Sequence, residues 1–175
     1  FTERFGNPHS SEHALGREAE AGVEAAWAEV ARLLGADPRE IVFTSGATEA
    51  NNLALKGAAR FAAARLPARR VITLATEHKC VLESVRDLAA EGFEPVVLPV
   101  RPDGLVEPSV LAAALAVPTV LVSIMAAHNE TGVVQDIAAL AALAHAHGAL
   151  FHTDAAQAAG KIPLDVAGQG IDLLS

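Results

Sequence analysis

Four polar clusters follow apolar segments of the chain, and their side chains are those best suited to chemistry. They occupy residues 45–49, 76–79, 128–130 and 152–154, with Gln157 just beyond the last. Parallel strands bring their carboxyl ends to one edge of a sheet, where α/β proteins bind ligands. If each apolar segment is a strand of such a sheet, the four clusters form a single site.

The first cluster, Ser45-Gly46-Ala47-Thr48, lies between a predicted strand and a predicted helix. Gly46 permits close approach of the backbone, and the free N–H groups of the next helix can hold an anion. Thr48 adds a hydroxyl, so the loop is suited to a phosphate group. The alternative is an ordinary helix start capped by Ser45 or Thr48. No Gly-Lys-Ser/Thr sequence follows, which excludes a nucleotide-binding P-loop.

Asp154 follows a predicted buried strand and precedes two alanines. An unpaired carboxylate in such a place is costly, so Asp154 should meet a cation. By sequence, the nearest basic residues are His152 and Lys161. Asp154 could instead pair with a cationic ring nitrogen of a ligand, or cap the helical turn 155–159. Gln157 lies one helical turn further on and could contact the same ligand.

His78 and Asn129 complete the candidate set. The imidazole of His78 can stack on a flat ring or move a proton near neutral pH, although surface and capping roles are alternatives. Asn129 can donate to a ring or carboxylate oxygen, or simply form a turn with Gly132. A phosphate cradle, a stacking imidazole and a buried carboxylate together match pyridoxal 5′-phosphate (PLP), whose pyridine nitrogen must be kept protonated.

The elements that position these residues alternate between helices and short apolar strands. We predict strands at 41–44, 71–75, 95–100, 119–125 and 150–153, with a further strand at 171–174. We predict helices at 11–34, 49–66, 79–91 and 136–148, and a short helix from Pro108. Such alternation is typical of βαβ units. The predicted fold is a three-layer α/β/α domain with a mostly parallel sheet, continuous over the chain without a linker.

Composition excludes several classes of protein. The chain has 175 residues, a net charge of −8 and 51% hydrophobic residues, which is untypical of disorder. Its single Cys excludes a disulfide framework and a Cys-based zinc site. We expect no nucleic-acid partner, because Lys and Arg are not clustered, and no membrane span. His145, His147 and His152 are not expected to hold a metal, since i and i+2 side chains on a helix point apart. We expect a reducing, cytoplasmic location.

Five motifs occur in the order seen in cysteine desulfurases, and the chain resembles that family over essentially its whole length. The motifs are Phe5-Gly6-Asn7-Pro8-His9-Ser10, Ile41-Val42-Phe43-Thr44-Ser45-Gly46-Ala47-Thr48-Glu49, Thr76-Glu77-His78-Lys79, Asn129-Glu130-Thr131-Gly132-Val133-Val134-Gln135 and His152-Thr153-Asp154-Ala155-Ala156-Gln157. These enzymes are class V, fold-type I PLP proteins. The third motif is similar to the branch that serves general iron–sulfur cluster assembly.

The resemblance implies roles for individual residues. Ala47 and Thr48 would bind the cofactor phosphate, and His78 would stack on the ring and assist proton transfer. Asn129 would lie near the phenolic oxygen and the substrate carboxylate. Asp154 would pair with the pyridine nitrogen, and Gln157 would bond the phenolic oxygen. The family takes sulfur from L-cysteine, releases L-alanine and holds the sulfur as a persulfide. It works as a homodimer, and its partners include iron–sulfur scaffold or sulfur-acceptor proteins.

The chain departs from the family pattern in several places. The lysine that forms the Schiff base with PLP would follow just past Ser175, and none of Lys56, Lys79 and Lys161 stands at the expected strand end. We therefore expect residues 1–175 to be part of the PLP-binding large domain, lacking the lysine segment and the C-terminal small domain, and inactive alone. Cys80 is not the persulfide cysteine and is expected to be a small buried side chain. His128 stands where relatives often have Asn.

Two alternatives stay open from the sequence. One is another class V PLP enzyme, such as a selenocysteine lyase, a kynureninase-like hydrolase or an aminotransferase. The other is a degenerate, non-catalytic relative that acts as a scaffold and needs a partner to cover its exposed apolar surface.

Overall fold

The computed structural model describes residues 6–10 and 12–175. The chain divides into two compact units, Phe1–Phe43 and Thr44–Ser175. The larger unit contains a five-stranded parallel sheet of strand order β2-β1-β3-β4-β5. Its strands are β1 (Arg70–Leu74), β2 (Glu94–Leu98), β3 (Thr119–Ser123), β4 (Leu150–Thr153) and β5 (Leu173–Leu174). The predicted α/β class with a parallel sheet is confirmed.

From residue 47 onwards, helices and strands alternate along the chain as the sequence predicts, but no strand precedes β1 in the described residues. The helices are α1 (Ala14–Leu34), α2 (Ala47–Ala63), α3 (Lys79–Asp87), α4 (Pro108–Leu115), α5 (Ile137–Ala146) and α6 (Val166–Gln169), with short 3₁₀ helices at Pro38–Glu40 and Leu88–Glu91. Among the described residues, no helix combines the length and the apolarity needed to cross a bilayer.

The chain reverses direction across the sheet between β1 and β3. The connection through α3 carries it from β1 to β2 on one side, whereas α4 and α5 carry it towards β3 and β4 on the other. Right-handed crossovers in opposite directions place their helices on opposite faces of the sheet. The β1/β3 boundary is therefore the topological switch point, and ligands of such folds bind just outside the strand ends there.

The alanine-rich helix α2 packs against one face of this sheet. Ala58, Ala59 and Ala62 of α2 are buried with Leu55, and they form one apolar cluster with residues of α3, β1 and β3. Small side chains allow α2 to approach the sheet closely, because little volume has to fit between the layers. This packing holds α2 against the sheet, with its first turn near the carboxyl ends of the strands.

The smaller unit, described by itself, consists mainly of α1. Gly35 ends the helix with φ 68°, as the sequence predicts, while Ser11, the predicted start, lies outside the described residues. The ring of Trp27 stacks on that of Phe43 with centroids 6.0 Å apart. The strand predicted at 41–44 is wrong. These residues pair with no strand in the described part of the chain, and Val42 and Phe43 are exposed.

Other boundaries differ from prediction by a few residues. Helix α2 starts at Ala47 rather than residue 49 and ends at Ala63 rather than 66. Strand β3 stops at Ser123, two residues before the predicted end, although the N–H groups of Ile124 and Ala126 still donate to the carbonyls of His152 and Asp154. The strand β4 and the helix cap at Asp136 are confirmed, the latter by an Asp136 carboxylate that accepts the Ala139 N–H. Helix α6 was not predicted.

Candidate functional site

The first turn of α2 has no side-chain cap, which contradicts the predicted alternative of a cap by Ser45 or Thr48. Gly46 precedes the helix with φ 156° and ψ 178°, a backbone region that other residues rarely adopt. The first helical hydrogen bond runs from Ala50 N–H to the Gly46 carbonyl, so the N–H groups of Ala47 and Thr48 precede the ladder. These exposed donors form a suitable cradle for an anion.

Asp154 lies directly after β4 and is only 4% exposed. Its Oδ1 accepts the N–H of Ala156 at 3.0 Å, and its Oδ2 accepts the Nδ2 amide of Asn51 at 2.9 Å. Asp154 therefore does cap the start of the turn 155–159, as one of the predicted alternatives states. Neither basic residue expected nearby supplies a cation. His152 bonds Ser123 and Ser175, whereas Lys161 bonds Gln157.

Asn51, which sequence reasoning missed, connects the carboxylate with the anion cradle. It lies four residues after Ala47, a rise of about 6 Å along α2, and is completely buried. Its bond to Asp154 joins residues 103 positions apart in the chain. Asp154 and the start of α2 are thus neighbours at the same edge of the sheet. The only sequence signal was a polar residue on an otherwise apolar helix face.

His78 lies after β1, close to the same group of residues. It is the N-cap of α3, and its Nδ1 accepts the N–H of Cys80 at 3.3 Å. Cys80 is half-buried, with Sγ 3.0 Å from the same Nδ1 and 3.4 Å from Nδ2 of Asn51. The capping role foreseen for His78 is confirmed, and its ring is exposed. Burial, followed by the charge of Asp154, raises the pKa of the Cys80 thiol.

Glu77 is a second acidic residue at this edge that the sequence did not single out. It is 5% exposed, and its Oε1 accepts the N–H of Met125, just past β3, at 2.8 Å. Its Oε2 is buried and has no hydrogen-bond partner among the described residues. Burial and the negative charge of Asp154 raise the pKa of Glu77 to about 8. Glu77 is therefore a neutral acid that bridges the two strand ends at the switch point.

Asn129 and Gln157 lie in turns that follow β3 and β4, but neither side chain forms a hydrogen bond with Asp154 in the described chain. Asn129 is exposed in the turn that ends at Gly132, whose φ is 73°. Gln157 is also exposed, and its Oε1 accepts Nζ of Lys161 at 2.7 Å. The structure thus brings together Ala47, Thr48, His78 and Asp154, while Asn129 and Gln157 stay at the rim.

A pocket of about 170 Å³ opens beside this site, between the segments that follow β1, β2 and β3. Its lining includes Thr76, Asp103, His128 and Gln135, but not Asp154 or the start of α2. The Nδ1 of His128 accepts two backbone N–H groups at 3.1 Å each, so the neutral ring carries its proton on Nε2. The surface of this pocket is mostly apolar, with a few polar side chains at its wall, and it adjoins the candidate cofactor site.

The histidines near the end of the chain do not form a metal centre. His145 pairs with Asp172 at 2.8 Å, and His147 bonds the Leu143 carbonyl at 3.0 Å. Complete burial lowers the pKa of His152 to about 3, so this ring is neutral. Over residues 6–10 and 12–175 no group of three or more His, Cys, Asp or Glu side chains is arranged to hold a metal ion.

Comparison with known proteins identifies the family. The Aminotransferase class-V family model matches residues 1–175, and the chain belongs to this family. It is 54% identical over 171 residues to a human protein named cysteine desulfurase, covering 98% of this chain and 37% of that protein. It is 53% identical over 175 residues to cysteine desulfurase IscS of Neisseria meningitidis, covering 100% of this chain and 43% of that protein.

Solved structures agree with this assignment. SspA in complex with cysteine matches with a TM-score of 0.89 and 39% identity, over 99% of this chain and 50% of that one. A NifS-like protein matches equally well, with 99% and 48% covered. The chain therefore spans about half the length of these structures, and 37% to 43% of the two relatives above. The resemblance inferred from the five motifs is confirmed at the level of the family.

Proposed function

We propose that this chain forms the cofactor-binding part of a PLP-dependent cysteine desulfurase. The whole protein takes sulfur from L-cysteine, leaves L-alanine and supplies the sulfur, as an enzyme persulfide, to iron–sulfur cluster assembly. The names of the relatives support this proposal. The observation that carries it is the Asn51–Asp154 hydrogen bond, because it makes the buried carboxylate a neighbour of the uncapped start of α2.

The residues fit PLP in two respects. The start of α2 offers backbone N–H donors without a capping side chain, as a phosphate ester needs. Asp154 is a buried carboxylate that forms no ion pair with a Lys, Arg or His of the described chain. It is therefore available to a protonated ring nitrogen. PLP carries a phosphate and a ring nitrogen on one molecule, so a single ligand can use both the donors of α2 and the carboxylate of Asp154.

Bound PLP would supply the electron sink for the reaction, while the protein binds and orients it. Ala47 and Thr48 hold the phosphate, and Asp154 holds the proton of the ring nitrogen. His78 stacks on the ring and assists proton transfer. Gln157, whose oxygen is engaged by Lys161, keeps its NH₂ group to donate to the phenolic oxygen. Asn129 donates to the phenolic oxygen and to the substrate carboxylate.

The remaining parts of the proposal rest on the family resemblance. The whole protein is a homodimer, and a scaffold or another acceptor protein receives the sulfur. The structurally similar SspA was solved in complex with cysteine, which supports L-cysteine as the substrate. The cytoplasmic location stays a prediction.

The test is the reaction of L-cysteine with the whole protein that contains this chain, with L-alanine and sulfide measured. Asp154→Asn should lower the rate about 10- to 100-fold, the worth of a hydrogen bond to a charged group. Asp136→Asn is the matched control, because Asn caps the start of α5 as well as Asp does. Absence of alanine from the wild type, or an unchanged rate in Asp154→Asn, would contradict the proposal. Faster turnover of L-selenocysteine would favour the lyase alternative.

A further inference from the structure

A continuous set of hydrogen bonds connects Asp154 with His78 through two residues that have no assigned role. Nδ2 of Asn51 lies 2.9 Å from Oδ2 of Asp154 and 3.4 Å from Sγ of Cys80. Sγ of Cys80 lies 3.0 Å from Nδ1 of His78. The three contacts join α2, α3 and the end of β4, so they link elements that are distant in the chain.

Each donor in this set is fixed by chemistry. A carboxylate at Asp154 only accepts, so the amide atom that faces it must be the NH₂ group of Asn51. The same NH₂ group has a second proton, which points to the sulfur of Cys80. The backbone N–H of Cys80 donates to Nδ1 of His78, so that nitrogen carries no proton. Of the two atoms that lie 3.0 Å apart, Sγ of Cys80 is then the donor to Nδ1, and Thr48 is the other side-chain partner of this sulfur beside Asn51.

The hydrogen bonds run from Asn51 to Cys80 and from Cys80 to His78, and they determine which nitrogen of the His78 ring carries the proton. A neutral imidazole carries one proton, and with Nδ1 accepting, that proton is on Nε2. An amide donor on the sulfur polarises the S–H bond and strengthens its donation. The burial that raises the pKa of the Cys80 thiol keeps it in the protonated form that this arrangement needs.

We propose that Asn51 and Cys80 are positioning residues that hold His78 in the Nε2–H tautomer. This inference rests on the proposed function, in which His78 stacks on the cofactor. In that setting the ring presents a hydrogen-bond donor at Nε2 in the resting state. Asn51 serves both ends, because one NH₂ group orients the carboxylate of Asp154 and the thiol of Cys80.

The tautomer is directly measurable without cofactor or substrate. We suggest 15N-histidine labelling of the full chain and long-range 1H–15N correlation at a pH where the rings are neutral, with His78→Gln identifying the signal. We expect His78 as Nε2–H in the wild type. Cys80→Ala should lower the Nε2–H to Nδ1–H ratio about five-fold, the equivalent of one hydrogen bond of about 1 kcal/mol. Cys80→Ser, which keeps an O–H donor, should restore it.

His128 provides an internal control in the same spectra. Its Nδ1 accepts two backbone N–H groups and no thiol, so its tautomer should not change in the Cys80 variants. An Nδ1–H tautomer of His78 in the wild type, or an unchanged ratio in Cys80→Ala, would overturn the proposal. Neither result would contradict the proposed PLP binding and desulfurase activity. Conversely, a protein that binds no PLP but shows the expected tautomer would refute the proposed function alone.

Discussion

Glu77 and Asp154 stand at two strand ends of the same sheet edge, and both carboxyl groups are buried, yet their surroundings differ. Asp154 accepts two N–H donors, one on each oxygen. Glu77 accepts one, from Met125, and its second oxygen has no partner in the described chain. Burial then dominates at Glu77 and raises its pKa to about 8, with the charge of Asp154 adding to the effect.

Because both carboxyl groups are buried, their hydrogen-bond donors, rather than their depth of burial, distinguish the two positions. A carboxylate that accepts hydrogen bonds on both oxygens retains part of the stabilisation that water gives it, whereas one with a single donor is more stable protonated. Two acids of one crevice therefore suit different tasks. Asp154 is suited to hold a cationic ring nitrogen, and Glu77 to bridge β1 and β3 as a neutral group.

The largest change in stability should come from removing the Glu77 side chain, which connects the ends of β1 and β3. Glu77→Ala leaves the Met125 N–H without its acceptor and opens a cavity at the switch point. We expect a loss of about 3 kcal/mol in the free energy of unfolding. The measurement is urea unfolding near pH 5, where the ionisation of Glu77 in the unfolded state changes the free energy of unfolding only slightly. A loss below about 1 kcal/mol would show that the bridge does not stabilise the fold.

Glu77→Gln tests the protonation state itself. With a native pKa of about 8 against an ordinary 4.5, the native state keeps a proton that the unfolded state releases as pH rises. Wild-type stability should therefore fall between about pH 4.5 and pH 8 and then level off. The neutral amide lacks this loss, so the stability of the variant relative to the wild type should increase steadily as the pH rises across that range. A difference independent of pH would mean that Glu77 is ionised in the native state.

Asn51→Ala should make the surroundings of Asp154 more similar to those of Glu77, because Asp154 then accepts only one hydrogen bond. We expect a loss of about 1–2 kcal/mol in the free energy of unfolding, from the lost hydrogen bond to a buried charge. Asn52→Ala is the matched control on the same helix. Its amide bonds only the Thr48 carbonyl at 2.9 Å, so its loss should be smaller. Equal losses in the two variants would contradict a special role for Asn51.

The smallest expected effect concerns the reactivity of Cys80. Burial and the charge of Asp154 raise the pKa of this thiol, so alkylation should be slow at neutral pH and accelerate only above the ordinary range of a cysteine. Asp154→Asn removes the electrostatic contribution, and the alkylation rate at fixed pH should rise a few-fold. The chain contains one cysteine, so mass spectrometry reports this site alone. An unchanged alkylation rate would show that the charge of Asp154 does not affect the pKa of the Cys80 thiol.

Much of the fold was readable from local pattern. The alternation of apolar runs with helical segments predicted the parallel sheet, and the glycines at 35 and 92 marked helix ends, with φ 68° and 83°. The strand at 41–44 was misread because an apolar run indicates a strand only when another strand is there to pair with it. Helix α6 was missed because four residues are too few for a periodic pattern.

For the site, the sequence by itself determined which chemical groups stand at the strand ends and which family the motifs resemble. It indicated Asp154, His78 and the loop before α2, because their types and positions follow from local order along the chain. Only the tertiary structure decided that Asn51 would join Asp154 and Cys80, and that Glu77 would lose its charge. Hydrogen bonds between residues up to 103 positions apart and exclusion of water arise from packing, and neither leaves a trace in local spacing.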